Sequence, residues 1–395
     1  MKKEIVIFGA GNIGRSFLAP VFCEGGWQAV FADVDSMILE ALSQRDSYEL
    51  IEVSAKGEQR HSVGPVFGVD SRDEKLVSQH LLRADMCATC VGAKALPIVL
   101  RSIAKALNTR TRPLDIILAE NLKGAAELAK KILQEWGPRD VLDRVGIVET
   151  SIGKMVPIMD PQEHEKDPLL CRAEPFHTLI VDKMGFQGSI PTLPNLKAVH
   201  PIAPWVARKL YIHNFGHAAA AYLGFASAPE ATYIWQVLEI PRVAKQVRRA
   251  MLTSGEALQK EYPGVFRSQD ITAHVDDLLE RFANQSLGDT VYRVGRDLAR
   301  KLHYRDRVVG AIALMRKHKL DAQDAIEVFQ AALQFCPRSP DGSPDALDST
   351  VIQGTKDAKA FLNSIVGLDE VREPDLHKVL LSVLPSSSQD IPFLG

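Results

Sequence analysis

Short apolar runs alternate with helix-period stretches through the first half of this 395-residue chain. The run EIVIF at residues 4–8 has the length of a buried strand, and apolar positions recur at helical spacing from Ile13 onward. QAVFADVD (28–35) reads as a second strand and RADMCATCVGA (83–93) as a third, with a helix over 94–107. LDIILAEN (114–121) precedes a helix from about Leu122, and DRVGIVETS (143–151) is another strand. Strands alternating with helices predict a parallel, doubly wound sheet. From about Asp160 the pattern changes. MDPQEHEKDPLLCRAEP is polar and proline-bearing, and HTLIVDKMGFQGSIPTLPNLKAVHP holds one strand and then glycine and proline turns. This stretch reads as a connector ending near Pro194. Beyond Pro201 helical periodicity dominates, with no repeat period. The expected architecture is α/β: a doubly wound sheet with its connector over 1–194, followed by an all-helical domain over 195–395.

The turn after the first strand carries Gly9, Gly11 and Gly14 in the spacing G-x-G-x-x-G. In the Rossmann-type unit, Gly9 makes the tight turn, Gly11 lets a pyrophosphate approach the backbone, and Gly14 packs helix on strand. The helix opening at Asn12 and Ile13 then offers unpaired N–H groups to the phosphate. The second strand ends in Asp33, about 20 residues on, where an acidic side chain hydrogen-bonds the adenosine ribose. Asp33 and Asp35 would repel a 2′-phosphate, and no arginine follows at once, which favours NAD over NADP. Ligands of such sheets bind at the carboxyl ends of the strands, so Val91-Gly92-Ala93 and Glu120-Asn121 are candidates to line the nicotinamide side. Asn121 has two readings: an amide donor to a substrate oxygen, or the N-cap of the next helix.

Length agrees with two domains. A net charge of −2 argues against a nucleic-acid partner, which needs a cationic face. No apolar stretch is long enough to cross a bilayer, and the opening apolar run is too short for a secretory signal. Five cysteines in odd number fit a reducing, cytoplasmic setting. Cys87 and Cys90 form a C-x-x-C inside a strand pattern, without a second pair to complete a zinc site, and read as packing.

RKLYIHNFGH (208–217) gathers Arg208, Lys209, His213, Asn214 and His217 on one predicted helix. At 100° per residue Lys209, His217 and Asn214 fall at about 0°, 80° and 140°, over a rise of about 12 Å. The alternatives are a solvated polar face and a proton-transfer site. The adjoining run of four alanines suggests close packing, and a lysine so placed loses hydration, its pKa falling toward the range of a base. His213 reads as a helix-face residue.

Lys209-x4-Asn214-x2-His217 matches the signature of the polyol-specific long-chain dehydrogenases. FGAGNIGR, FADVD, AEN at Asn121, IVDKMGFQGSIP, RKLYIHNFGHAAAAYLG and VYRVGRDLARKL extend the resemblance along nearly the whole chain. The resemblance implies that Lys209 is the general acid/base, that Asn214 and Asn121 steady the developing oxyanion, and that His217 orients the substrate hydroxyl. It implies a substrate-binding role for Arg296, NAD as cofactor and no metal. One segment departs: in SIGKMVP (151–157) Gly153 and Lys154 stand where the family carries an Asp-Arg pair.

Arg293, Arg296, Arg300 and Lys301 form the densest cationic segment of the second half, spaced for one face of a single helix. Arg296, Arg300, Lys301 and Lys154 are therefore candidates to hold an anionic substrate, although Arg293 and Arg300 also fit a solvated face. The expected protein is a monomeric, NAD-dependent oxidoreductase interconverting a polyol phosphate and a ketose phosphate. Alternatives are a ketouronate reductase, a free-hexitol dehydrogenase, and a non-catalytic NAD-binding regulator.

Overall fold

A computed structural model describes residues 2–122, 124–157, 161–336 and 358–384; the stretches 337–357 and 385–395 of the expected second domain lie outside the described residues. The chain forms two compact units, Met1–Val206 and Ala207–Gly395.

The first unit contains β1 (Glu4–Phe8), β2 (Gln28–Asp33), β3 (Tyr48–Ser54), β4 (Gly57–Val63), β5 (Val66–Asp70) and β6 (Met86–Thr89). These are followed by β7 (Leu114–Leu118), β8 (Val145–Ser151), β9 (Cys171–Ala173), β10 (Leu179–Asp182) and β11 (Leu196–Val199). Eight of them make one sheet in the order β11-β10-β8-β7-β6-β1-β2-β5. Neighbours from β5 to β8 are parallel, whereas β10 runs antiparallel to β8 and parallel to β11. Every residue of β1 is buried: Ile5 and Ile7 enter the core on one face, Val6 and Phe8 the core on the other. Burial on both faces is why this strand reads as an unbroken apolar run and not as an alternation. The helix expected over 94–107 spans Leu96–Leu107, and the one expected from Leu122 begins at Ala125, behind a left-handed Gly124.

Two parts of the first unit differ from the sequence pattern. β3 and β4 form a hairpin that pairs with β9 in a separate three-stranded sheet. Along β4 only Val63 is buried, so no period-two signal marks it. The connector also carries more strand than expected: β9, β10 and β11 all pair, and β11 joins the main sheet beyond Pro194.

The second unit is helical. Among the described residues its strand structure is limited to an isolated bridge between Tyr233 and Thr290. The helix Phe215–Ser227 lies at its core, with Ala218, Ala219, Ala220 and Ala221 fully enclosed. A Cβ on Gly216 would stand 2.4 Å from the sulfur of Met251, so the helix Pro241–Glu261 crosses it at close range. No helix of the described residues is long and apolar enough to cross a membrane.

Candidate active site

In the first unit the glycine turn connects β1 to a helix entered at Asn12 and Ile13. Gly9 has φ +103°, and a Cβ there would lie 2.8 Å from the Cys90 carbonyl oxygen. A Cβ on Gly14 would lie 2.1 Å from the Gly9 carbonyl oxygen, so any larger residue drives the helix off the turn. Gly11 is different: a Cβ there meets nothing within 4 Å, leaving open space over the backbone. Arg15, which the sequence pattern did not single out, is buried beneath the turn and donates to Ala10 O at 2.6 Å and to Pro168 O.

Asp33 stands at the carboxyl end of β2, its carboxylate accepting the N–H groups of Ala10 (2.5 Å), Val34 (2.6 Å) and Asp35 (3.0 Å). Asp35 is committed elsewhere, as N-cap of the helix Ser36–Gln44. An arginine does lie near in the fold, though not next in sequence. Asp70 is the register partner of Asp33 across β2 and β5, and Arg72 forks onto Asp70 at 2.7–3.1 Å. Those hydrogen bonds hold the Asp70 carboxyl at about 2.

Val91 and Gly92 follow β6, and their N–H groups donate to the Glu120 carboxylate at 3.0 and 2.9 Å. Glu120, a candidate from its place at the strand end, therefore ties the two strand-end loops together. Asn121 is exposed in the bend after β7. The following helix is capped at Gly124 with no side-chain bond, so the N-cap reading of Asn121 does not hold. Cys87 and Cys90 are free thiols, both pushed well above the usual range by burial, with Cys90 Sγ 3.2 Å from Gly9 O. They are packing residues.

In the second unit the expected uniform helix is interrupted. Helix Ala203–Arg208 runs into a π turn over Lys209–Asn214 and then into helix Phe215–Ser227. The Phe215 N–H reaches Leu210 O, five residues back. The 100° arithmetic therefore fails here: residues five apart span one π turn, which brings Asn214 back over Lys209 instead of 140° away. His217 follows three residues later, on the same face as Asn214. Single π turns inside α-helices often mark functional sites.

Lys209 is partly buried, and burial, with the Arg307 charge adding, pushes its ammonium down to about 8. Burial likewise lowers Arg208 to about 10, its guanidinium lying 5.5 Å from the Phe266 ring centre. His213 is enclosed against Phe282, and burial, then the charges of Arg281, His217, Lys209 and His274, holds it well below the usual histidine range. It is a neutral packing residue. His217 lies flat on Phe282, with ring centres 4.6 Å apart and planes 7° apart, and its Nε2 is 3.3 Å from Asp289 Oδ2.

The cationic segment is not one helix. It divides into Val291–Gly295 and Leu298–Leu302, with Asp297 between them in the left-handed region at φ 71°. The division separates the four cations by role. Arg293 pairs with buried Asp289. Arg300 pairs with Asp297 and, at 3.8 Å, with Asp306. Lys301 is 5% exposed and donates to Val294 O at 2.6 Å and to Arg296 O, which makes it a clamp on the kink and not a substrate ligand. Arg296, exposed like Arg300, stands at the end of the first helix with its guanidinium 5.9 Å from the Tyr292 ring centre. Lys154 is also buried. Its charge acts on Glu52 beside β9: burial raises that carboxyl, but the hydrogen bond and charge of His177, then Lys154 and His61, bring it below the usual value.

The sequence matches the mannitol dehydrogenase Rossmann domain over residues 3–195 and the mannitol dehydrogenase C-terminal domain over 201–373. It is 30% identical over 384 residues to mannitol-1-phosphate 5-dehydrogenase of Bacillus subtilis, and 32% identical over 387 residues to that of Bacillus licheniformis. Each alignment covers 95% of this chain and 98% of the relative. Among solved structures, a substrate-free D-sorbitol dehydrogenase superposes with a TM-score of 0.77 at 14% identity, covering 98% of this chain and 95% of that one. Pseudomonas fluorescens mannitol 2-dehydrogenase, solved with NAD and D-mannitol, gives 0.71 at 15% identity, covering 97% and 91%. Both structures share the fold. With two domain models spanning nearly the whole length in the order the fold requires, the chain belongs to the mannitol dehydrogenase family.

Proposed function

We propose that the protein is an NAD-dependent oxidoreductase interconverting a polyol phosphate and a ketose phosphate, of the mannitol 1-phosphate and fructose 6-phosphate type. The observation that carries the reading is Lys209: a partly buried lysine lowered to about 8, one π turn below Asn214 and on the face that leads to His217. The names of the relatives, aligned over almost their full length, support the phosphorylated substrate.

The first unit fits NAD: there is open space over Gly11, the helix opens at Asn12 and Ile13, and the Asp33 carboxylate stands at the end of β2. Bound NAD supplies the hydride acceptor. The chain supplies the proton chemistry. Lys209 Nζ takes the hydroxyl proton during oxidation and returns it during reduction, and a pKa near 8 makes both forms available close to neutrality. The Asn214 amide donates to the oxygen as charge develops on it, with Asn121 assigned the second such amide. His217 orients the hydroxyl, and Arg296 grips the anionic end.

The decisive experiment is a substrate screen with NAD over mannitol 1-phosphate, free hexitols and sugar acids. Mannitol 1-phosphate is expected to give the highest kcat/KM. A preference for an uncharged hexitol or a hexonate would replace this reading by the corresponding alternative.

Cofactor choice gives a separate expectation. Asp33 repels a 2′-phosphate while Arg72 is held by Asp70, so NAD is expected to exceed NADP in kcat/KM by at least about tenfold, the equivalent of 1.4 kcal/mol. Asp33→Ala should narrow that ratio, and Asp33→Ala with Asp70→Ala, which releases Arg72, should narrow it further. Steady-state kinetics with both cofactors measures this; a wild type that uses NADP equally well contradicts it.

A further inference from the structure

Behind His217 lies a carboxylate to which neither the sequence pattern nor the family resemblance gives a role. Asp289 is 4% exposed, with one oxygen 3.3 Å from His217 Nε2 and the other paired with the Arg293 guanidinium. Its backbone is fixed on both sides. The Asp289 carbonyl accepts the Ile234 N–H at 2.9 Å, and Thr290 both bridges Tyr233 and caps the next helix through the Arg293 N–H at 3.1 Å. The imidazole is held from its flat side as well, by Phe282. A buried carboxylate is strongly disfavoured unless charged or N–H partners satisfy it. Here the Arg293 guanidinium and the His217 imidazole face the two oxygens at ion-pair distance, without completed hydrogen bonds, so a proton on Nε2 is what would satisfy the oxygen beside the ring.

We infer that Asp289 is a positioning residue for His217: its carboxylate fixes the ring orientation and places the imidazole proton on Nε2, so that Nδ1 carries the lone pair. A histidine in that tautomer accepts a hydrogen bond through Nδ1 from a substrate hydroxyl beside the reacting one, whose single proton goes to Lys209, and so fixes the orientation of the substrate. Arg293, part of the cationic segment, pairs with the other carboxylate oxygen. The physical logic is that of a carboxylate–histidine pair, in which the acid sets the tautomer and does not itself transfer a proton. The inference rests on the proposed orienting role of His217, and its test is chosen to separate the two.

The direct measurement is nitrogen-15 NMR of the imidazole side chains in the full-length wild-type protein, with His217→Gln used to assign the His217 signals. The expected pattern is a protonated Nε2 and an unprotonated Nδ1 near neutral pH. The reverse tautomer would overturn the inference whatever the activity. The second measurement is a double-mutant cycle. Asp289→Asn keeps the shape but offers an amide N–H to the ring, and it should lower kcat/KM for the polyol by about 10–100-fold, the worth of a charged hydrogen bond. Affinity for NADH should be unchanged. Added to His217→Ala, Asp289→Asn should cost little more, because the carboxylate acts through the ring. Fully additive losses would show that Asp289 serves only to anchor Arg293 and would overturn the inference. His217→Ala with wild-type turnover would instead remove the orienting role assigned to the histidine, while the tautomer measurement on the wild type still decides what Asp289 does. If Asp289→Asn fails to fold, that same measurement stands alone as the test.

Discussion

Lys209→Ala is expected to lower turnover by about two to four orders of magnitude, the usual worth of general acid–base catalysis, with NADH binding retained. The pH profile should identify the group. Only the neutral amine can take a proton, so the rate of polyol oxidation should rise with pH through about 8 and then level off. Ketose reduction needs the ammonium and should fall over the same range. Stability, like the oxidation rate, should rise with pH. Burial lowers Lys209 from its ordinary 10.5 to about 8, so between those values the unfolded chain binds more protons than the folded one. The penalty of the charged lysine is therefore complete below about 8 and fades as pH rises toward 10.5. Lys209→Met should raise the melting temperature at pH 7, and the gain should shrink at pH 10. A variant that keeps turnover within a few-fold of wild type would remove the lysine from the mechanism. A Lys209→Met variant that melts below wild type at pH 7 would show that the ammonium is stabilising.

Arg296→Ala is expected to raise the KM for a phosphorylated polyol by about 10–100-fold, as loss of a charge-assisted hydrogen bond requires, with the KM for NAD nearly unchanged. The fold should tolerate the change, since the guanidinium is exposed and the kink beside it is held by Lys301 and the left-handed Asp297. Lys301→Met makes the contrast. It leaves the Val294 and Arg296 carbonyls without their ammonium and should lower the melting temperature by several degrees, the scale set by about 1–3 kcal/mol for unsatisfied buried groups. Arg300→Ala, on a side chain already paired with two aspartates, should change the KM little. Substrate kinetics and thermal melts on the three variants read these effects apart. An Arg296→Ala enzyme with unaltered substrate KM would place the anion elsewhere.

What the sequence made legible was local. The first strand, the glycine turn and Asp33 form a continuous segment whose spacing carries its own meaning, and the structure assembles them as that spacing demands. What it left hidden depends on pairing or geometry at a distance. The β3–β4 hairpin is closed by β9, more than a hundred residues later, and β4 is exposed along nearly its whole length, so neither period nor neighbour marks it. Arg72 is remote from Asp33 in sequence and adjacent to it only because β5 pairs with β2. Asp289 precedes a short helix in a segment without periodicity, and its partner His217 lies on another helix. The cationic run misled for a different reason. Its spacing suits one helix, but Asp297 adopts a left-handed conformation that ends the first turn pair and starts a second.

The π turn between Lys209 and Asn214 makes the length of that interval a mechanical register. An α-helix through residues 203–227 would need one residue fewer to reach the same face, and the wide turn absorbs the extra one. Winding the same residues as regular α-helix would instead turn every side chain from Asn214 onward by about 100° about the axis relative to Lys209. The amide and the imidazole would rotate together, keeping their spacing to each other while losing it to the amine. Removing one residue between Leu210 and His213 would restore regular winding and keep Asn214 and His217 on the Lys209 face, whereas removing two would turn both away from the amine.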